Sequence, residues 1–199
     1  MRSIPLKSLS LLLLLPGAAW CDTTSNTMDD SARPVTVAVA NAVVNAGEGA
    51  GAGLSATIPV ADLIVVRKSE RRLYLMRHGE VLRSYRVALG LQPEGPKERA
   101  GDFRTPEGRY LLTRRNPRSD FFLSIQVSYP NDQDVRRARH RHVDPGGSIM
   151  LHGLPNSLRH PPEYYAQSDW TDGCIAMSDS DMVELWMMTQ DNTPIDIRP

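Results

Sequence analysis

The chain has little of three things. It holds two cysteines, Cys21 and Cys174, among 199 residues. It has no excess of either charge, since 23 basic and 23 acidic residues give a formal net charge of zero. Its leucine-rich stretch, Leu9 to Leu15, stops at Pro16, well short of the roughly 20 apolar residues that cross a bilayer. Each scarcity excludes something. A balanced charge argues against nucleic acid as the main partner, because that partner wants a basic surface. A dithiol redox centre would lack its second cysteine once Cys21 goes with the N-terminal segment described next. A metal site has no support either: His140 and His142 stand two apart, with no cysteine or acidic cluster at ligand spacing. No metal and no cofactor is expected.

The N-terminus carries a pattern. Arg2 and Lys7 precede the leucine run, and Pro16-Gly17-Ala18-Ala19 follows it. A basic start, a short apolar core and small residues make a secretory signal peptide, here residues 1–21. The expected location is therefore the periplasm. Cys21 offers an alternative as a lipid-bearing cysteine, the one route by which a membrane would be a partner. Losing residues 1–21 takes Arg2 and Lys7 from the basic residues and nothing from the acidic ones, leaving a net charge of −2. It also leaves Cys174 without a disulfide partner. An oxidising compartment favours pairing or losing such a thiol, so its presence points to chemistry.

Residues 22–60 are rich in Ala, Val, Gly, Asn and Thr and read as a flexible linker, with GEGAGAGLSA at Gly47–Ala56 as its clearest part. Val35, Val37 and Val39 alternate and leave a short strand open there. The folded domain is expected over 61–199. DLIVVRKS, RRLYLMR and EVLRSYRVALG read as strands, with His78-Gly79 at a hairpin bend. TPEGRYLLTRR and SIQVSYP read as two more, and PIDIR as a closing strand. Asn131–His142 is expected to open a short helix with Asp132 as its cap. Its Arg136, Arg137, Arg139 and Arg141 read as a solvated basic face, suited to an anionic polymer or a substrate carboxylate. A last helix begins at Ser178, with Asp181 expected to reach back to the cap and Met182, Leu185, Trp186 and Met188 as its core stripe. Six or seven strands, two or three short helices and no βαβ alternation indicate a β-rich α+β fold.

Ser148–Met177 concentrates the chemistry. His152 follows an apolar run and Cys174 follows a glycine. A cysteine and histidine joined by a fold are the minimum for a thiol nucleophile, against the plainer reading of a buried structural cysteine and an unrelated core histidine. Four blocks in order then decide between them. They are Leu73-Tyr74-Leu75; Gly101 followed by Thr105-Pro106-x-Gly108-x-Tyr110; Gly147-Ser148-Ile149-x-Leu151-His152-Gly153; and Thr171-Asp172-Gly173-Cys174-Ile175. Together they resemble the L,D-transpeptidase catalytic domain, the YkuD family, over about Ala61–Pro199. The chain departs from the usual pattern at Asp172, where histidine is common, and at Ala176, where Arg or Asn is usual. Its gap from His152 to Thr171 is also slightly longer. The TDGC variant is similar to YafK-like proteins, which are associated with hydrolysis of the link between peptidoglycan and a lipoprotein as well as with transpeptidation.

The resemblance implies a mixed β-sandwich or barrel-like fold and a cysteine L,D-transpeptidase acting on peptidoglycan stem peptides, without a cofactor. A wall-anchored lipoprotein is a further partner it suggests. Cys174 would be the nucleophile and His152 its base and proton donor, oriented by a backbone carbonyl from Gly153 or its neighbours. The amides of Gly173 and Cys174 would stabilise the oxyanion, with Thr171 in support. Asp172 is read as aimed away, paired with an arginine, holding the incoming amine or water, or serving only as a turn residue. Tyr110 and Trp170 are weak candidates for substrate contact, with Tyr129, Tyr164 and Tyr165 behind them. Asp169 and Trp170 lie on a segment expected to form a wall or lid, stiffened by Pro161-Pro162. Two other functions stay open: a peptidoglycan hydrolase acting as L,D-carboxypeptidase or amidase, and a non-catalytic wall-binding module.

Overall fold

The computed structural model describes residues 58–199. The signal-peptide segment, the Val35–Val39 alternation and all but the last three residues of the linker lie outside the described residues. Ala61 is buried, and its N–H donates to Met188 O at 2.8 Å.

Three strands open the domain as an antiparallel meander: β1 Leu63–Arg67, β2 Arg72–Arg77 and β3 Glu80–Arg86. At the β2–β3 bend His78 and Gly79 take φ of 51° and 85°. Positive φ at both central residues is what a two-residue hairpin turn requires. The 12-residue β4, Gly108–Ser119, pairs with two neighbours in succession. Gly108–Leu111 runs against β8, Pro194–Arg198, and the remainder runs against β5, Phe122–Val127, through register shifts. Two short strands complete the sheet. β6 Met150–His152 joins β5 antiparallel, and β7 Ile175–Ala176 joins β6 parallel.

The eight strands lie in the order β3-β2-β1-β8-β4-β5-β6-β7. Ala88, just past β3, bridges Ala176 in β7, and Gly90 bridges Thr171. The chain leaving one edge thus docks on the opposite edge, a barrel-like closure that leaves fewer bare edges. The fold is β-rich α+β, with three helices among the described residues: α1 Asp132–His140, α2 Pro162–Gln167 and α3 Asp179–Met188. Eight strands replace the expected six or seven because β6 and β7, three and two residues long, are too short to show a period.

Ile64, Leu73, Leu75, Leu112, Ile125 and Leu151 are fully buried, and α3 adds Met182, Leu185 and Met188. The start of α1 corrects the sequence reading, and the start of α3 keeps the expected Ser178 cap without its reciprocal contact. The cap of α1 is Asn131, not Asp132: its side chain accepts from the Gln133 and Asp134 amides, while Asp134 reaches back to the Asn131 amide. At α3, Ser178 Oγ accepts from the Asp181 N–H at 3.1 Å. The Asp181 carboxylate does not reciprocate among the described hydrogen bonds.

One buried charge ties the sheet to the loop that packs against the Gly173–Cys174 turn. Lys68 Nζ donates to Gly95 O at 2.6 Å, Thr105 O at 3.0 Å and Glu107 Oε1 at 2.8 Å, with its side chain 3% exposed. Removing one partner of such a pair strands the others in low dielectric. Lys68→Ala is expected to lower unfolding free energy by about 3–5 kcal/mol, measured by urea denaturation. A loss below about 1 kcal/mol would show that water replaces the ammonium freely.

Candidate active site

β6 and β7 place the two reactive side chains. Their parallel register pairs Leu151 with Ile175 and His152 with Ala176. Extending it one step back sets Cys174 beside Met150. Residues two apart on a strand share a face, so Met150 and His152 project to one side and Cys174 joins them from the next strand. Leu151 and Ile175 point the other way and are fully buried. The alternation that fills the core therefore delivers the thiol and the imidazole to one cleft of about 1040 Å³, lined by both residues.

The turn carrying Cys174 is held by a backbone contact. Gly173 has φ of 129°, and a Cβ there would lie 2.7 Å from Arg104 O. Thr171 Oγ1 accepts from the Gly173 N–H at 3.1 Å and donates to Cys174 O at 2.7 Å. The Thr171 backbone exchanges hydrogen bonds with Leu89 O and the Leu91 N–H, at 3.1 and 3.0 Å. This corrects one expectation: the Gly173 amide is already committed to Thr171, so the oxyanion reading rests on the Cys174 amide.

His152 is buried, and its Nδ1 lies 2.7 Å from Gly153 O. A carbonyl only accepts, so Nδ1 carries the proton and Nε2 presents its lone pair. Gly153 is fixed in turn. Its N–H donates to Phe121 O and Leu123 O, and a Cβ on it would meet Asp179 Oδ1 at 2.5 Å. Asp179 Oδ1 also accepts from the Leu154 N–H at 2.8 Å. Nothing in the sequence marked Asp179, which reads only as a first-turn acid of α3. Burial drives the His152 pKa down to about 4, with the Gly153 hydrogen bond opposing.

Cys174 is half-buried, and its Sγ–H donates to Ser148 O at 3.6 Å. Ser148 takes φ of 56°, a left-handed conformation that aims this carbonyl at the thiol. Burial raises the thiol pKa above its ordinary value and the Asp172 charge adds to that, while the Met150 backbone and Lys97 oppose it. The resting pair is therefore neutral thiol and neutral imidazole.

Asp172 is exposed on the cleft and forms no ion pair among the described residues. Trp170 lines the cleft as well. Its ring meets His152 edge-on at 5.6 Å and packs against Phe121 at 6.2 Å and Tyr165 at 5.1 Å. Phe121, which sequence reading missed, lies over His152 with centroids 4.7 Å apart. Asp169 anchors the segment through Arg71 at 2.9 Å and the Leu89 N–H at 2.9 Å. Tyr164 and Tyr165 join the lining. Tyr110 does not: it is 4% exposed, and its hydroxyl is spent on Glu107 O and Asp134 Oδ2. Tyr129 is likewise core, donating to Pro145 O at 2.8 Å. In the basic segment Arg137 pairs with Asp134 and Arg141 with Glu98.

Comparison with known proteins bears on the family and the fold. YafK of Escherichia coli (strain K12), named as a candidate L,D-transpeptidase, is 33% identical over 129 residues, which is 62% of this chain and 45% of that protein. The chain thus spans about half the length of the curated relatives it matches. Pgp2, the helical cell shape determining protein of Campylobacter jejuni, shares the fold with a TM-score of 0.52 at 23% identity, covering 68% of this chain and 46% of that one. An L,D-transpeptidase from Mycobacterium smegmatis aligns with a TM-score of 0.46 at 17% identity, over 69% and 58% of the two chains. Residues 61–197 match the family model of the L,D-transpeptidase catalytic domain, and the chain belongs to the YkuD family.

Proposed function

We propose that this protein is a cysteine L,D-transpeptidase acting on peptidoglycan stem peptides. The observation that carries the reading is the delivery of Cys174 and a correctly tautomerised His152 to one open cleft by adjacent strands. In the proposed reaction Cys174 Sγ attacks the carbonyl at the L-centre of meso-diaminopimelate. His152 Nε2 takes the thiol proton as the bond forms. The Cys174 N–H stabilises the oxyanion. Collapse breaks the bond to the terminal D-Ala, whose amine leaves with the proton from His152. His152 then deprotonates the acceptor, which resolves the thioester and restores the thiol.

Asp172 bears on the acceptor. Its exposed, unpaired carboxylate at the cleft favours an amine that arrives as an ammonium group over neutral water. Hydrolysis, including release of a wall-linked lipoprotein, is the competing outcome of the same acyl-enzyme. Export to the periplasm belongs to this proposal and is supported by the signal-like pattern of residues 1–21.

With purified disaccharide-tetrapeptide, Cys174→Ala is expected to lose D-Ala release by on the order of 10³-fold or more, followed by mass spectrometry. Release at the wild-type rate would remove Cys174 as nucleophile. Cross-linked dimers in the wild-type reaction mark an amine acceptor, and a free disaccharide-tripeptide, lighter than the substrate by one alanine residue, marks hydrolysis.

The pH profile tests the neutral pair. His152 must be unprotonated to act as base, so kcat/KM is expected to hold down to about pH 5 and to fall as pH drops through about 4. A limb centred on the ordinary histidine value of 6.5 would contradict the buried imidazole. Folding stability has the same sign: between those two values the unfolded chain binds the extra proton, so stability falls as pH falls.

A further inference from the structure

The cleft is longer than a thiol and an imidazole require. One wall joins two segments that lie apart in sequence, the β4–β5 turn and the loop leading to α2. Asn156 fastens them together. Its N–H donates to Asp120 O at 3.0 Å, its Nδ2 donates to Ser119 O at 2.9 Å, and its Oδ1 accepts from the Phe122 N–H at 2.9 Å.

Each segment brings one arginine to the cleft, Arg118 and Arg159. Their backbones are fixed: the Arg118 N–H donates to Asn116 Oδ1 and the Arg159 N–H to Tyr165 Oη, both at 3.0 Å. Their guanidinium groups are exposed and have no acidic or hydrogen-bonding partner among the described residues. Arg71, Arg83, Arg115 and Arg198 show the contrast, each within 3.0 Å of a carboxylate. Asp120 is the one acid on this wall and is also exposed, so the wall keeps an excess of positive charge. Asp172 approaches from the nucleophile's own turn instead.

The same wall reaches the base. Phe121, three residues from Arg118, covers His152, and Arg159 is tied to Tyr165, which packs on Trp170 and so on His152. A leaving amine must lie within reach of His152 to take its proton. The residue that leaves therefore extends along this wall. Its carboxylate carbon is only two bonds beyond that nitrogen, within roughly 3 Å. Arginine suits such an end group because its planar fork matches a carboxylate bidentately. Resting on the acyl-transfer reading above, the geometry points to Arg118 and Arg159 as the clamp for the terminal D-Ala carboxylate of the donor stem.

The test compares a tetrapeptide stem with the same stem amidated at its terminal carboxylate. For the wild-type chain, kcat/KM is expected to fall roughly 10- to 100-fold on amidation. In Arg118→Ala/Arg159→Ala that discrimination is expected to shrink to about twofold, because the free stem loses and the amidated stem does not. Arg118→Lys/Arg159→Lys is expected to keep part of it. Calorimetric binding of both stems to Cys174→Ala gives a readout independent of turnover, so failure of the nucleophile assignment does not obscure the clamp. Equal rates and equal affinities for the two stems would overturn the inference. So would discrimination that survives in the double alanine variant, or a penalty that appears only when the other stem carboxylates are amidated.

Discussion

Two backbone contacts that only glycine permits hold Cys174 in place. A Cβ on Gly90 would lie 2.1 Å from Phe103 O, and one on Gly173 would lie 2.7 Å from Arg104 O. Residues 103–105 are thus wedged against both the strand that closes the sheet and the turn that presents Cys174. Thr105 completes the wedge: its buried hydroxyl accepts from the Gly90 N–H, while its carbonyl accepts from Lys68. The ammonium of Lys68 is expensive to bury, yet it binds this loop to the sheet from beneath. A side chain at either glycine would push the loop and the thiol apart.

Burial does opposite work on the two reactive groups and reaches one result. It penalises the charged form of each, lowering the imidazole and raising the thiol. Cys174 therefore differs from a cysteine activated in advance by an ion pair. In the reaction proposed above, proton transfer would accompany the attack, and the oriented tautomer of His152 is the feature that would allow it. Gly153 O fixes that tautomer, Gly153 is itself held by Phe121 O and Leu123 O, and the Asp179 side chain holds the next residue, Leu154. The base is tuned by elements far from it in sequence.

Much of this was legible in residues and some was not. β1, β2, β3 and β8 announce themselves through β-branched runs and a His-Gly bend, and the four blocks carried the family. β6 and β7 did not, because two or three residues cannot show an alternation. They nevertheless set the register that joins His152 to Cys174. Tyr110 sits inside a family block yet serves the core, bonded to Asp134 of the α1 cap. A block shared for packing and one shared for chemistry look alike in a sequence. Phe121, Asp179, Arg118 and Arg159 were missed for the converse reason: they lie in no block, and only the closure of the sheet brings their segments to the cleft.

The neutral resting pair also resolves a tension in the chain's cysteine usage. For the exported protein proposed here, one unpaired thiol stands in an oxidising compartment, where thiols are prone to oxidation. Oxidation tracks thiolate character and exposure. Half-burial, the hydrogen bond to Ser148 O and the nearby Asp172 charge all keep Cys174 protonated until a substrate arrives. Asp172 then has a second consequence besides any effect on the acceptor. A histidine at this position would remove that negative charge and relieve its pressure on the thiol. Burial, the largest cause, would still hold the thiol above its ordinary value, so in the proposed reaction His152 would still have to take its proton during attack.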